Sequence, residues 1–162
     1  MSGAATETRL DAWVSFLRAH AAITRELSAQ LQREHGLTLN DYEVLLHLSK
    51  VEDGMRRVDL AESVLLTASG ITRLLEGLEK AGFVAKRTCA TDARVSYAVL
   101  TDAGREKFRA AAQTHLGGID EQFLSRYSGS ELTALAELLG RLPVTGVECD
   151  ASPEACSSEP CS

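Results

Sequence analysis

The chain has 162 residues, 44% hydrophobic and 25% charged, which suits one domain with a buried core and an ordinary charged surface. No apolar run reaches membrane-spanning length and the first residues lack a basic region followed by an apolar one, so neither a membrane span nor a secretory leader is expected and the cytoplasm is the expected location. The net charge of −6 is uneven: residues 56 to 109 hold ten Lys+Arg against seven Asp+Glu, leaving seven against sixteen elsewhere, so phosphate contact by that segment is compatible with an acidic chain.

In chain order, Leu10, Trp13, Val14, Leu17, Ala21, Leu27 and Leu31 form an apolar stripe that predicts a helix from Leu10 to about His35, stopped by Gly36. Thr38-Leu39-Asn40-Asp41 reads as a capping box opening a compact helix through Tyr42, Val44, Leu45, Leu46 and Leu48. Glu52-Asp53-Gly54 marks a turn. A short helix, Val58 to Leu65, a turn at Leu66-Thr67 and a second helix, Ala68 to Ala81, follow. In the second helix Ile71, Leu74, Leu75 and Leu78 recur at helical spacing, which turns Ser69, Thr72, Arg73 and Glu76 outward. Thr67 occupies the N-cap position and Gly82 the C′ position.

Two alternating runs, Val84 to Cys89 and Val95 to Leu100, are joined by Ala90-Thr91-Asp92-Ala93-Arg94 and predict a hairpin with an arginine at its tip. Thr101 then caps a helix from Asp102 to about Arg126, with a bend expected at Gly117-Gly118. Ser128-Gly129-Ser130-Glu131 caps a last helix whose stripe is Leu132, Leu135, Leu138, Leu139 and Leu142, ended by Pro143. Beyond it the chain has no periodic apolar residues, which predicts a flexible tail.

The fold class that results is mainly α with a small β-wing: a winged helix-turn-helix region over 37–101, an N-terminal dimerisation helix over 1–36, C-terminal dimerisation helices over 102–143 and a cysteine-containing tail over 144–162. The small winged region cannot cover the stripes of both the first and last helices, so burial against a second copy predicts a homodimer. Folding of both helices back onto one protomer is the alternative.

A recognition helix reads bases through short polar side chains near its N-terminus. Ser69, Gly70, Thr72 and Arg73 lie there, next to Thr67. Gly70 lets the backbone approach a duplex, Arg73 suits a two-pronged contact with guanine, and Thr72 and Ser69 suit weaker base-edge or phosphate bonds. The same residues would also make an ordinary solvated helix face.

The string Thr72-Arg73-Leu74-Leu75-Glu76-Gly77-Leu78-Glu79-Lys80-Ala81-Gly82-Phe83-Val84, followed by Asp92-Ala93-Arg94 and then Leu100-Thr101-Asp102-Ala103-Gly104-Arg105, resembles the MarR family of bacterial transcriptional regulators, in order and spacing from about Leu10 to Leu142. The resemblance implies a homodimer on a pseudo-palindromic double-stranded DNA operator, usually repressing genes until a small molecule or oxidant releases it. It implies that Arg94 enters the minor groove with Asp92 bracing it, while Lys86 and Arg87 add charge toward the DNA backbone. Val95 stands where many members carry a further basic residue, which implies weaker wing contact. Some urate-responsive members pair a first-helix tryptophan with an aspartate at the start of the next module; Trp13 and Asp59 resemble these, with His20 near Trp13 on the helical net, as sites for a small aromatic or anionic effector. Packing within a dimer core is the other role for Trp13, and the usual one for an aromatic residue on a long helix.

Cys89, Cys149, Cys156 and Cys161 lack the close pairs of a zinc ribbon, and His20, His35, His47 and His115 are scattered. A redox or zinc response through these cysteines, and a winged module that binds protein instead of DNA, are the alternative functions. With no phosphate-cradling glycine loop, zinc-hydrolase histidine pair or nucleophile elbow, no catalytic residue, metal or cofactor is expected.

Overall fold

A computed structural model describes residues 3–64, 66–88 and 96–143, with side chains from residue 10 onward. Its elements are α1 (Gly3–His35), α2 (Leu39–Ser49), β1 (Met55–Arg56), α3 (Arg57–Ser63), α4 (Ala68–Lys80), β2 (Val84–Thr88), β3 (Ser96–Leu100), α5 (Asp102–Gln122), a 3₁₀ turn (Leu124–Arg126) and α6 (Gly129–Leu139). The architecture is mainly helical with a small antiparallel sheet, as expected. α1 begins at Gly3 rather than Leu10, because the residues before Leu10 extend the helix without an apolar period that would reveal it.

The core lies beneath the winged region. Leu31 of α1, Val44, Leu45 and Leu48 of α2, Leu60 of α3, and Ile71 and Leu75 of α4 have essentially no exposed surface. Their burial holds α4 against α2 and α3, and each such side chain contributes roughly 1.5–3 kcal/mol relative to an exposed one. Local spacing sets the starts of the helices. Thr38 and Asp41 form a reciprocal capping box on α2, as do Ser128 and Glu131 on α6, and the Ser128 hydrogen bonds hold the Glu131 carboxyl below the usual range.

Two expectations need correction. The sheet has three strands, in the order β1-β3-β2, not the two of a hairpin. Met55 pairs with Ala98 and Arg56 with Tyr97 across β1 and β3, while β2 pairs with β3 from Val84↔Leu100 to Thr88↔Ser96. A two-residue strand is too short to show alternation in sequence. Its approach depends on Gly54, whose φ of 81° is a left-handed conformation and whose position against the Ala98 carbonyl leaves no room for a Cβ.

The long helix α5 also ends short of the expected Arg126, staying α-helical through Gly117-Gly118. It continues to Gln122, and the chain turns at Phe123, which has φ −134° and ψ −63°. Gly118 is buried where α5 meets α1; a Cβ there would lie 2.7 Å from a Leu27 methyl carbon. The glycine thus permits close packing of the two helices, where a side chain would meet Leu27 and Gln30.

Both outer stripes are left largely uncovered within the protomer. Leu27 and Leu31 of α1 are buried, but Leu10, Trp13, Val14, Phe16 and Leu17 are exposed, Trp13 by 55%. No residue of α6 is buried, and Leu138 is 54% exposed.

Candidate nucleic-acid interface

Helix α4 is presented by three constraints. Its inner face is fixed by Ile71, Leu75 and Leu78, all buried. Its start is capped by Thr67, whose hydroxyl oxygen accepts from the Gly70 amide at 3.1 Å. Its end is closed by Gly82, at φ 78°, with the Phe83 amide reaching back to the Leu78 carbonyl at 3.0 Å. With rotation and both ends set, Ser69, Arg73, Glu76 and Lys80 form the exposed outer face.

The hydroxyls of this region are engaged locally. Thr72 is half-buried and its Oγ1 donates to the Ala68 carbonyl at 2.8 Å, leaving only acceptor capacity for an outside partner. Ser69 Oγ lies 3.3 Å from Thr67 Oγ1. Gly70 sits over the cap: a Cβ there would meet Thr67 Oγ1 at 3.1 Å, so its small size serves the helix start as well as any close approach from outside. Arg73 is exposed and has no ion-pair partner among the described residues.

On the wing, Lys86 and Arg87 are both exposed and, being consecutive in a strand, point to opposite faces. Lys86 has no ion-pair partner among the described residues. Arg87 does: its guanidinium donates to the Asp53 carbonyl oxygen, approaches the Asp53 carboxylate at 3.4 Å and stands 5.6 Å from the centre of the Tyr97 ring. The charge expected for a DNA backbone is thus partly engaged by Asp53, whose place in the sequence marks it only as a turn residue. Asp92 and Arg94, the expected wing-tip pair, lie outside the described residues, as do Cys89, Cys149, Cys156 and Cys161.

Of the three candidate effector residues, Trp13 and His20 lie along α1 and Asp59 at the start of α3. Asp59 is bonded two-pronged to Arg56 at 2.8 and 2.9 Å, and those bonds push the Arg56 pKa further up. Trp13 stacks on Phe16 with ring centres 6.2 Å apart, and Phe16 on His20 at 6.4 Å. His20 and Phe16, with Ile23, Phe123, Tyr127 and Leu139, line a mostly apolar cavity of about 510 Å³ between α1, α5 and α6, which neither Trp13 nor Asp59 reaches. Phe123 and Tyr127 were not foreseen because they follow the break in α5, where helical periodicity ends.

Nearer the winged region, His115 of α5 lies 4.5 Å from the Tyr42 ring of α2. Its Nδ1 is enclosed without a hydrogen-bond partner among the described residues, and burial lowers its pKa. His35 at the end of α1 meets Thr114 of α5 at 2.8 Å, and Thr114 donates to Glu34 at 3.0 Å. Among the described residues no group of three or more His, Cys, Asp and Glu could hold a metal ion, and no helix is long and apolar enough to cross a membrane.

A three-stranded sheet behind two short helices, with the second helix presenting a polar face, defines a winged helix-turn-helix protein. A family model, that of the MarR family, matches residues 35–95. The chain is 34% identical to AbsC, a MarR family transcriptional regulator from Streptomyces coelicolor, with a TM-score of 0.75 over 82% of this chain and 89% of that one. It is 29% identical to Sco3205, a MarR family regulator from the same organism solved in complex with DNA, with a TM-score of 0.76 over 83% and 84% of the two chains. It is also 26% identical to the transcriptional regulator MhqR of Bacillus subtilis strain 168, over 85% of this chain and 92% of that one. The chain belongs to the MarR family of transcriptional regulators, a family of DNA-binding regulators and not of enzymes.

Proposed function

We propose that two copies of the chain bind one pseudo-palindromic duplex, each placing α4 in a major groove and its wing tip in the adjacent minor groove. The observation that carries this reading is the geometry of α4: an apolar face locked into the core, a capped N-terminus, and an outer face on which Arg73 has no protein partner among the described residues. A guanidinium so placed matches the O6 and N7 acceptors of guanine. The DNA complex of Sco3205, an overall relative of this chain, supports the same use of the fold.

In this reading residues 1–36 and 102–143 form the dimerisation region, 37–101 the DNA-binding region and 144–162 a tail. The uncovered apolar residues of α1 and α6 supply the interface between copies. Thr67, Ser69, Gly70 and Thr72 set the approach of α4; Arg73 reads a base; Lys86 and Arg87 lie beside the DNA backbone; Asp92 directs Arg94 into the minor groove. The protein acts in the cytoplasm as a repressor, and a small aromatic or anionic molecule releases it by binding beside α1, where Trp13 and His20 lie, with Asp59 on the winged side.

Selection of binding sites from random duplexes tests the reading. Enrichment of a pseudo-palindrome with half-site centres about 10 base pairs apart is the expected result, and enrichment of no sequence by the folded protein would overturn it.

A further inference from the structure

The outer face of α4 holds a carboxylate as well as a guanidinium, and among the described residues that carboxylate has no partner. Glu76 is exposed, one helical turn beyond Arg73, and makes no hydrogen bond or ion pair among the described residues. Arg73 and Lys80, three residues before it and four after, are spaced to pair with it, yet neither stands within ion-pair distance. The nearby hydroxyls are already used: Thr67 caps the helix, Thr72 donates to Ala68, and Ser69 lies against Thr67. The long side chains left on this face with unused bonding capacity are Arg73, Glu76 and Lys80.

A carboxylate brought toward DNA meets repulsion from the phosphates, so it lowers affinity unless a base donates to it. The major groove offers two donors, the amino groups of cytosine N4 and adenine N6. Adenine presents its amino group next to N7, an acceptor that repels a carboxylate, whereas cytosine presents N4 without a neighbouring acceptor on the same base. The chemistry therefore favours cytosine. We propose that Glu76 is a specificity-determining residue that accepts from cytosine N4 in each half-site and disfavours duplexes that lack a cytosine there. This rests on the placement of α4 in the major groove given above.

The test is site selection followed by titration of single-position operator variants, using the full chain and its E76Q and E76A variants. Because Glu76 is exposed at mid-helix, both variants should fold, which their sedimentation and helical signal would establish. The wild type should prefer cytosine at one symmetric pair of positions by about 5- to 100-fold. E76Q should lose that preference, bind the other sequences more tightly and gain adenine at the same positions, since an amide can both donate and accept. Retention of the cytosine preference by both variants, or a uniform gain in affinity with no change of preference, would overturn the role of Glu76 while leaving α4 in the groove. If the wild type itself selects no sequence, the groove placement fails and the role of Glu76 with it.

Discussion

The Thr101 hydroxyl lies 2.7 Å from the Gly82 carbonyl oxygen and accepts from the Gly104 amide at 3.0 Å. One side chain thereby finishes α4 and starts α5, so the helix that faces outward is tied directly to a helix of the proposed dimerisation region. Gly104 completes the joint: it packs against the Phe83 carbonyl so closely that a Cβ would not fit. Thr101→Val should lose the cap and leave a carbonyl short of a donor, lowering stability by about 1–2 kcal/mol. Thr101→Ser should recover most of it. Urea denaturation at fixed protein concentration measures both, and an unchanged midpoint for the valine variant would show that the joint is not carried by this hydroxyl.

Association of two copies should depend on the uncovered stripes. Sedimentation at micromolar concentration should give about twice the 17.4 kDa chain mass. Leu138→Glu places a charge on a residue half exposed in the protomer and buried in the proposed dimer, which is strongly unfavourable there and nearly neutral in a monomer. It should shift the sedimenting species toward the chain mass. A folded wild-type monomer would contradict the interface.

Reading and anchoring should separate in titrations. Arg73→Ala should cost on the order of 1–3 kcal/mol at the preferred operator and relax discrimination at one symmetric pair of positions. Arg94→Ala should weaken binding evenly across sequences and lower the salt slope by about one per half-site. An Arg94 variant with unchanged affinity and slope would remove the wing tip from the interface.

Acid should destabilise the protein before its carboxylates titrate. Burial lowers the pKa of His115, and burial followed by the Lys50 charge lowers that of His47, so the unfolded chain binds protons more readily. Stability is then full above the unfolded histidine value near 6.5, falls as the pH drops through it, and levels once below the lowered folded values. Glu43, whose carboxyl burial pushes upward, works in the opposite direction from its unfolded value upward. His115→Phe should flatten the decline that sets in below about pH 7, as read from urea midpoints. An unchanged pH profile would locate the sensitivity elsewhere.

Local features were readable from sequence because their causes are local. The Thr38–Asp41 and Ser128–Glu131 boxes, the Thr67 cap and the buried face of α4 each follow from spacing within a turn or two. Features made by distant residues were not readable. β1 exists because Met55 and Arg56 find β3, and two residues carry no period of their own. Gly118 reads in sequence only as a helix-weakening residue, and it takes the folded chain to show that Leu27 and Gln30 leave no room for a side chain there. Asp53 and Arg87 are separated by most of the winged region, and only the folded sheet brings them together. The outer face of α4 was visible as a pattern, but the local use of the Thr72 hydroxyl, and hence the prominence of Glu76 beside Arg73, required the coordinates.

The short strand β1 also governs which surfaces are sticky. It occupies one side of β3, making β3 the middle strand and leaving at that margin a strand of two residues that ends in the exposed Arg56. The opposite margin is β2, with exposed Lys86 and Arg87. A ribbon bordered by a stub and by cations is a poor template for another chain's strand. In the proposed dimer, recruitment of a second copy is thereby steered away from sheet extension and toward the greasy flanks of α1 and α6, so that the same fold that displays a polar helix also limits the routes by which the molecule could polymerise.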